Sequence, residues 1–332
     1  MEKLTRAAER ATRWLEQQIH DDGSYGLDAE DLACYYKSPY LFSLMGQRGS
    51  AHLVLDHIKE RYFRSNGDFT TSETAKSANP AFCEFWSYTN GWIAIAAQRM
   101  GRFDIAQPAY DYVKSFYHPK LGGFTTQKPY NTGNEVVDVI TTAHLGLTSL
   151  YFGDMDRAKR CGVLLADILD KQPDIGSKFF LRVDGRGTLV TTFPHEAAGL
   201  HQVSTTEDNQ FYFMIGYPIA FLGKLFQATG ERKVLQAAKN YLQFAMSCKG
   251  NITAFHFSHK VMWGAALLAS ITGSVEYATF ASRIADHLIS MQSEDGGWLV
   301  QEPFHTMIDQ TAEIAIWLTE TADELSRMRV TV

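Results

Sequence analysis

Several classes of protein are excluded by what this sequence has little of. Basic residues are in the minority, 31 Lys+Arg against 37 Asp+Glu for a net charge of -6. Neutralising phosphates requires clustered Lys and Arg, so nucleic acid is not an expected partner. No apolar run reaches the length of a bilayer span, so no membrane span is expected. Only four cysteines occur, Cys34, Cys83, Cys161 and Cys248, and none form a C-x-x-C pair. That argues against a zinc ribbon and a dithiol redox motif, and a reducing cytoplasm is the expected compartment. The N-terminal stretch MEKLTRAAERATRWLEQQ carries acids and reads as an amphipathic helix, not a targeting leader. With 45% hydrophobic and 20% charged residues, the chain can bury a sizeable core. Aromatics are plentiful at 13%, which points to an aromatic-lined cavity.

Two signatures alternate along the chain. Helix-like segments close on Gly46, Gly101, Gly153, Gly230 and Gly273, at spacings of 55, 52, 77 and 43 residues. A glycine there suits the left-handed position that ends a helix. Each interval accommodates a pair of helices. The second signature is a polar turn with Gly and then an aromatic: Gly23-Ser24-Tyr25, Gly67-Asp68-Phe69, Gly122-Gly123-Phe124 and Gly296-Gly297-Trp298. The pattern predicts about twelve helices, near 2–20, 32–46, 50–63, 82–100, 103–117, 135–152, 155–171, 208–229, 231–248, 257–272, 275–291 and 308–327. The longest interval contains KFFLRVDGRGTLVTTF, read as a β-hairpin inserted at 178–193 around Asp184-Gly185.

One helix class is apolar nearly all round, as in FYFMIGYPIAFLGKLFQ. The other has a charged face, as in ERKVLQAAKNYLQFA. Buried and half-buried helices in alternation are what an inner and an outer ring need. The expected fold is therefore all-α, a single (α/α)6 double-ring barrel over 1–332. An open helical repeat is the alternative.

The residues Asp21-Asp22-Gly23-Ser24-Tyr25 and Gln292-Ser293-Glu294-Asp295-Gly296-Gly297-Trp298 carry a family resemblance. The second string is similar to the Q-x-x-x-D-G-x-W repeat of squalene-hopene-type cyclases. The chain thus resembles the α-toroid superfamily of terpenoid cyclases and protein prenyltransferase β subunits. The same double ring hosts sugar epimerases and unsaturated-glycoside hydrolases, so fold alone leaves function open. The departures from the family are informative. In place of the D-x-D-D acid of class II cyclases stands Asp28-Ala29-Glu30-Asp31, which also reads as a helix cap. There is no convincing D-D-x-x-D/E cluster. No D-x-C accompanies His305, which lies in a region like that of the prenyltransferases' last zinc ligand. His256 and His259 are three apart, without an evident third ligand. No metal and no cofactor are expected.

Counting back fifteen and eleven residues from the closing glycines gives two layers expected to face the cavity. They are Asp31, Trp86 and Asp138, then Tyr35, Asn90 and Thr142. Tyr88, Tyr212, Tyr217 and Trp263 join them as substrate-binding candidates, with His305 and Asp309 at the start of the last inner helix. His259, on a strongly apolar helix, is the first catalytic candidate, followed by Asp138, Asp31 and Glu84. Capping remains open for both aspartates, and plain core for the aromatics. The loops 64–80 and 118–134 and the hairpin are expected to cover one end.

The leading expectation is a metal-independent cyclase or isomerase of natural-product biosynthesis. It would fold an unsaturated terpenoid- or polyketide-derived substrate, with a pericyclic (Diels–Alder-type) closure as one route. The alternatives are a sugar-active enzyme, using Asp31 with Asp138 or His259 with His305, and a non-catalytic helical scaffold. The expected partner is a small, largely apolar molecule, and a homodimer is left open.

Overall fold

The computed structural model describes residues 1–26 and 31–328. Asp28, Ala29 and Glu30 of the D-x-E-D string lie outside the described residues. All five closing glycines adopt positive φ, between 71° at Gly230 and 78° at Gly46. This is the conformation an L-residue adopts only at a cost, so the helices end there.

The helices are α1 (Glu2–Gln17), α2 (Ser38–Leu44), α3 (Arg48–Arg61), the short α4 (Ala81–Glu84), α5 (Tyr88–Arg99), α6 (Phe103–Lys114), α7 (Val139–Tyr151) and α8 (Met155–Asp170). After the short α9 (Ala198–His201) come α10 (Phe213–Thr229), α11 (Arg232–Ser247), α12 (His259–Thr272), α13 (Val275–Ser290) and α14 (Phe304–Ser326). The inner ring is α2, α5, α7, α10, α12 and α14. Each packs on the next, and α14 returns to α2, so the ring closes. Each inner helix also packs on an outer one, α3, α6, α8, α11, α13 and α1 in turn. This is the (α/α)6 barrel.

Five of the six inner helices begin later than their apolar patterns suggest, whereas α14 begins earlier, at Phe304. The expected helix 32–46 splits into a 3₁₀ turn at Leu32–Cys34 and α2, and the expected 82–100 splits into α4 and α5. The cause lies at the mouth of the barrel, where Phe85 leaves helical geometry (φ -117°, ψ 59°) and turns inward with Phe82.

The Gly-aromatic turns fasten one outer helix to the next. A side chain at Gly23 would strike Leu53 O in α3 at 2.4 Å, at Gly67 Pro108 O in α6 at 2.2 Å, and at Gly296 Arg10 O in α1 at 2.7 Å. Backbone therefore meets backbone at each junction, and only glycine fits there. The aromatic that follows drives between the rings: Tyr25, Phe69, Phe124 and Trp298 are all buried. The Gly296 turn makes the junction between the two ends of the ring. There Gln292 Nε2 donates to Ala7 O at 2.9 Å and to Gly296 O at 2.8 Å, and Arg10 donates to the Gln292 side chain.

Six short strands decorate one end. β1 (Tyr117–His118) pairs with β2 (Gly123–Phe124), β3 (Val137–Asp138) with β5 (Arg182–Val183), and β4 (Lys178–Phe180) with β6 (Gln202–Ser204). The expected hairpin at 178–193 is thus opened out. Its tight turn survives at Asp184, where Gly187 N donates to Asp184 O, and a single bridge joins Val183 to Leu189. Its strands find partners elsewhere because Phe179 is drawn under the barrel edge onto Tyr241 and Phe244. The two faces of such strands bury different neighbours, and the larger apolar gain decides the pairing.

Inner helices approach closely at glycines. A Cβ at Gly216 would lie 2.4 Å from Val261 N and 2.6 Å from the Lys260 carbonyl carbon. Neither backbone atom can yield without moving α12. Gly216→Ala is expected to cost about 1–3 kcal/mol in urea unfolding. Wild-type stability would show that the two helices can part freely.

Candidate functional site

The inner helices all start at the same end of the barrel, and there they enclose a cup of about 340 Å³. Its walls are aromatic and aliphatic: Tyr36, Phe82, Phe85, Tyr88, Ile140, Leu200, Phe211, Phe213 and Phe257. Its polar atoms come from Lys37, Asn79, Lys260, Asp309, Gln310 and Glu313. A second space of about 340 Å³ shares Asn79, Phe82, Phe257, Asp309 and Gln310 with the cup. His256, Leu299, Glu302, His305 and Thr306 complete this vestibule.

The charged groups form one buried cluster. Lys37 Nζ lies 2.8 Å from Asp309 Oδ1 and 2.5 Å from Glu313 Oε2. Lys260 Nζ donates to Glu313 Oε1, which also accepts from Trp317 Nε1 at 3.2 Å. His259 Nε2 stands 3.1 Å from Lys260 Nζ, and His259 Nδ1 stands 2.6 Å from His256 O. Two ammonium groups thus face two carboxylates at nearly full burial. Charges are kept in such a place only by one another.

The balance is uneven between the lysines. Burial works against the charge of Lys37, but Asp309 and Glu313 outweigh it and hold its pKa above the usual lysine value. Burial dominates at Lys260, despite Glu313, and brings it down to about 8. Burial also opposes ionisation of Glu313, yet Lys260 and Lys37 keep its carboxyl well below the usual range. Burial, then the charge of Lys260, lowers the pKa of His259, with Glu313 acting in the opposite direction.

Below the cup the barrel is plugged. Trp263 stacks on Trp317 with centroids 4.3 Å apart, and Trp92 and Tyr217 abut Trp317 at 5.4 and 6.0 Å. His144 Nδ1 pairs with Tyr217 Oη at 2.7 Å, and burial lowers its pKa to about 3. Beneath this plug lies a small void bordered by Tyr40, Ile95, Leu147, Tyr151 and Lys224.

The sequence candidates divide between these places. Tyr88 and Asp309 line the cup, and His305 lines the vestibule. Tyr217 and Trp263 belong to the plug. His259 is fully buried behind Lys260 and does not line the cup. The others lie away from it. Asp31 caps the 3₁₀ turn through Ala33 N at 2.9 Å, and Asp138 caps α7 through Thr141 N at 2.7 Å. Burial raises the pKa of Asp138. Glu84 pairs with Arg182 at 2.5 Å at the rim. Trp86 Nε1 donates to Asp68 Oδ2 at 3.0 Å, and Asp68 in turn pairs with the buried Lys76. Tyr212 Oη donates to Glu207 O at 3.0 Å.

Tyr35, Asn90 and Thr142 do share a layer, but it faces the outer ring. Tyr35 Oη accepts from Tyr25 N at 3.1 Å, Asn90 Nδ2 donates to Gly67 O at 3.4 Å, and Thr142 Oγ1 accepts from Phe124 N at 3.2 Å. Each satisfies the backbone of one Gly-aromatic turn. The residues that face the axis stand thirteen before the closing glycine: Tyr88 before Gly101, Ile140 before Gly153, Tyr217 before Gly230 and Lys260 before Gly273. A slip of two residues is about 200° around a helix, so it selects the opposite face. Sequence reasoning therefore missed Tyr36, Lys37, Lys260, Gln310, Glu313 and the phenylalanines of the wall. The available signal was three lysines, Lys37, Lys224 and Lys260, each the lone charge of an inner helix segment, of which Lys37 and Lys260 stand at the cup.

Among the described residues, no three His, Cys, Asp or Glu side chains gather as a metal ion would need. No described helix is long and apolar enough to cross a membrane.

The sequence matches no family model and no curated protein sequence. Solved structures do match over nearly the whole chain. A D-mannose isomerase superposes with a TM-score of 0.67 at 11% identity, over 95% of this chain and 96% of that one. The GH76 α-mannanase BT2949 from Bacteroides thetaiotaomicron gives 0.66 at 13% identity, over 98% and 96%. The type II terpene cyclase MstE from Scytonema gives 0.61 at 13% identity, over 98% and 99%. Identities this low speak for architecture alone, and on that architecture the chain is an (α/α)6 barrel similar to those of terpene cyclases, mannose isomerase and mannanases.

Proposed function

We propose that the protein is an enzyme, a cyclase or isomerase that folds an unsaturated, largely apolar small molecule of natural-product metabolism inside the aromatic cup. The observation that carries this reading is the division of the cavity. Aromatic and aliphatic side chains make up most of its walls, and its charged groups are collected into one buried ion cluster. Such a cavity orients a ligand by a single polar end and leaves the rest of the molecule to be shaped by packing. Ring closure of a polyene needs this: a compact, aligned conformer, held away from water. Aromatic faces also favour cationic character that develops along the chain. A pericyclic closure is the finer form of the proposal.

A sugar ligand fits the walls poorly. It would need hydrogen-bond partners on every side, whereas Phe82, Phe85, Phe211, Phe213 and Phe257 supply none. Asp31 and Asp138, each capping a helix away from the cup, are no acid–base pair across it.

The test is binding followed by turnover. All-trans-retinol, a neutral fluorescent polyene, is expected to bind saturably at micromolar concentration, with D-mannose failing to displace it. Linear polyenes bearing an activated alkene should then yield products of unchanged mass and altered retention in liquid chromatography. Turnover of mannose or a mannooligosaccharide, with no retinol binding, would move the protein to the sugar-active class.

A further inference from the structure

The ion cluster contains a residue poised for more than anchoring. We propose that Lys260 captures a carbonyl group of the ligand as an imine, with Glu313 as the counter-ion of the resulting iminium and His259 as acceptor of the ammonium proton. This rests on the reading of the cup as a polyene site and narrows the substrate class to unsaturated aldehydes and ketones.

Four observations converge on Lys260. Its side chain lines the cup, so Nζ meets the ligand's polar end. His259 Nε2 is 3.1 Å from Nζ, while His259 Nδ1 is 2.6 Å from His256 O. A carbonyl oxygen can only accept, so the ring proton sits on Nδ1 and Nε2 presents its lone pair to the ammonium. Glu313 is already in place beside the nitrogen. Finally, Nζ lies 5.1 Å from the Phe213 ring centroid, 5.7 Å from Tyr217, 5.9 Å from Tyr88 and 6.0 Å from Trp317. Those faces stabilise a cation at this spot. Lys37 also lies over an aromatic face, that of Tyr36 at 4.9 Å, but Asp309 and Glu313 Oε2 hold its ammonium from both sides.

Charge conservation favours a neutral carbonyl ligand. The cluster holds two ammonium groups and two carboxylates. A carboxylate ligand would leave an uncompensated buried charge, whereas an iminium replaces an ammonium one for one.

The steps balance. His259 Nε2 takes one proton from the Lys260 ammonium. The freed amine attacks the carbonyl carbon, a C–N bond forms, and a proton passes from nitrogen to oxygen to give the carbinolamine. The proton held on His259 returns to the hydroxyl group, the C–O bond breaks and water leaves. The iminium keeps one N–H, donated to Glu313. Conjugated with the polyene, it withdraws electron density and activates the chain toward ring closure. Hydrolysis by the reverse route frees the product.

The experiment uses all-trans-retinal on the full chain, with sodium borohydride added after equilibration and the adduct located by peptide mass mapping. The expected result is one dominant secondary-amine adduct at Lys260, and a red-shifted absorption band before reduction. Imine formation should be about tenfold faster at pH 9 than at pH 7, following the fraction of free amine. Lys260→Arg and Lys260→Met should both lose that adduct, with circular dichroism confirming the fold. Retinol binding by the wild type without an adduct at Lys260, or with adducts only on surface lysines, would overturn the imine and leave the polyene site standing. Absence of both would overturn the underlying reading as well.

Discussion

Replacing Glu313 with glutamine is expected to cost about 3–5 kcal/mol of stability at pH 7, the cost of leaving a buried ammonium without its counter-charge. Lys37 keeps Asp309 as a partner, whereas Lys260 loses its carboxylate. The pH dependence identifies the cause. A lysine whose folded pKa lies below its usual 10.5 penalises the fold while both states are protonated, and the penalty is relieved as pH rises from the folded pKa toward that value. In the variant the Lys260 pKa falls further, so the deficit should shrink between pH 7 and pH 9.5. Glu313 itself has a depressed folded pKa. Its contribution is present above the usual 4.5 and disappears as pH falls toward the folded value, so the variant should lose less to acid than the wild type does. Adding Lys260→Met to Glu313→Gln should recover most of the loss, since an apolar side chain of similar volume needs no partner. A single variant as stable as the wild type in urea at pH 7 would show that the cluster is wet and weakly coupled.

Trp317→Ala should cost a similar amount, about 3–5 kcal/mol, for a different reason. Trp317 is 2% exposed and sits at the centre of the plug, stacked on Trp263 and bonded to Glu313. Its removal leaves a cavity that surrounding helices, held by close contacts such as Gly216 against Val261, cannot collapse to fill. The functional consequence follows from position. Trp317 separates the cup from the void bordered by Tyr40, Leu147 and Lys224. If the cup binds polyenes as proposed, opening that partition should shift binding toward polyenes longer than those bound with the partition closed. A competition series of retinoid and shorter polyene alcohols against retinol fluorescence measures the shift. An unchanged length preference would mean that ligands stop well above the plug.

The architecture was legible because it is written in backbone constraints. Gly46, Gly101, Gly153, Gly230 and Gly273 end helices since they need positive φ, and Gly23, Gly67 and Gly296 permit backbone contact that any Cβ would forbid. Such requirements act locally and survive as residue identities. Which face of an inner helix meets the axis is not local. Most of α5 and α7 is apolar or small on every side, so periodicity carries little phase, and the polar side chains Asn90 and Thr142 serve the turns of the outer ring. The phase had to be borrowed from the closing glycines, and a two-residue error reversed it. The ion cluster was hidden by a related cause. Lys37 and Glu313 are 276 residues apart in sequence and meet only through ring closure. Asp309 was within reach of sequence reasoning since it stands at the start of the helix expected over 308–327, although α14 begins at Phe304. Glu313, one turn on, looked like one more acid in a helix.

The way the ring closes also sets an order of events. Nearly every helix pair in the barrel joins neighbours in sequence, so most of the structure assembles at small loop-closure cost. The seam where α14 meets α1 and α2 is the exception, since it unites opposite ends of the chain. Asp309, Gln310, Glu313 and Trp317 all ride on α14. Five sides of the cup can thus form from contacts near in sequence before the sixth, and without α14 Lys37 and Lys260 lack the carboxylates of Asp309 and Glu313. Assembly of the ion cluster and closure of the ring are then the same step, so a chain whose last helix has not docked lacks the complete cup.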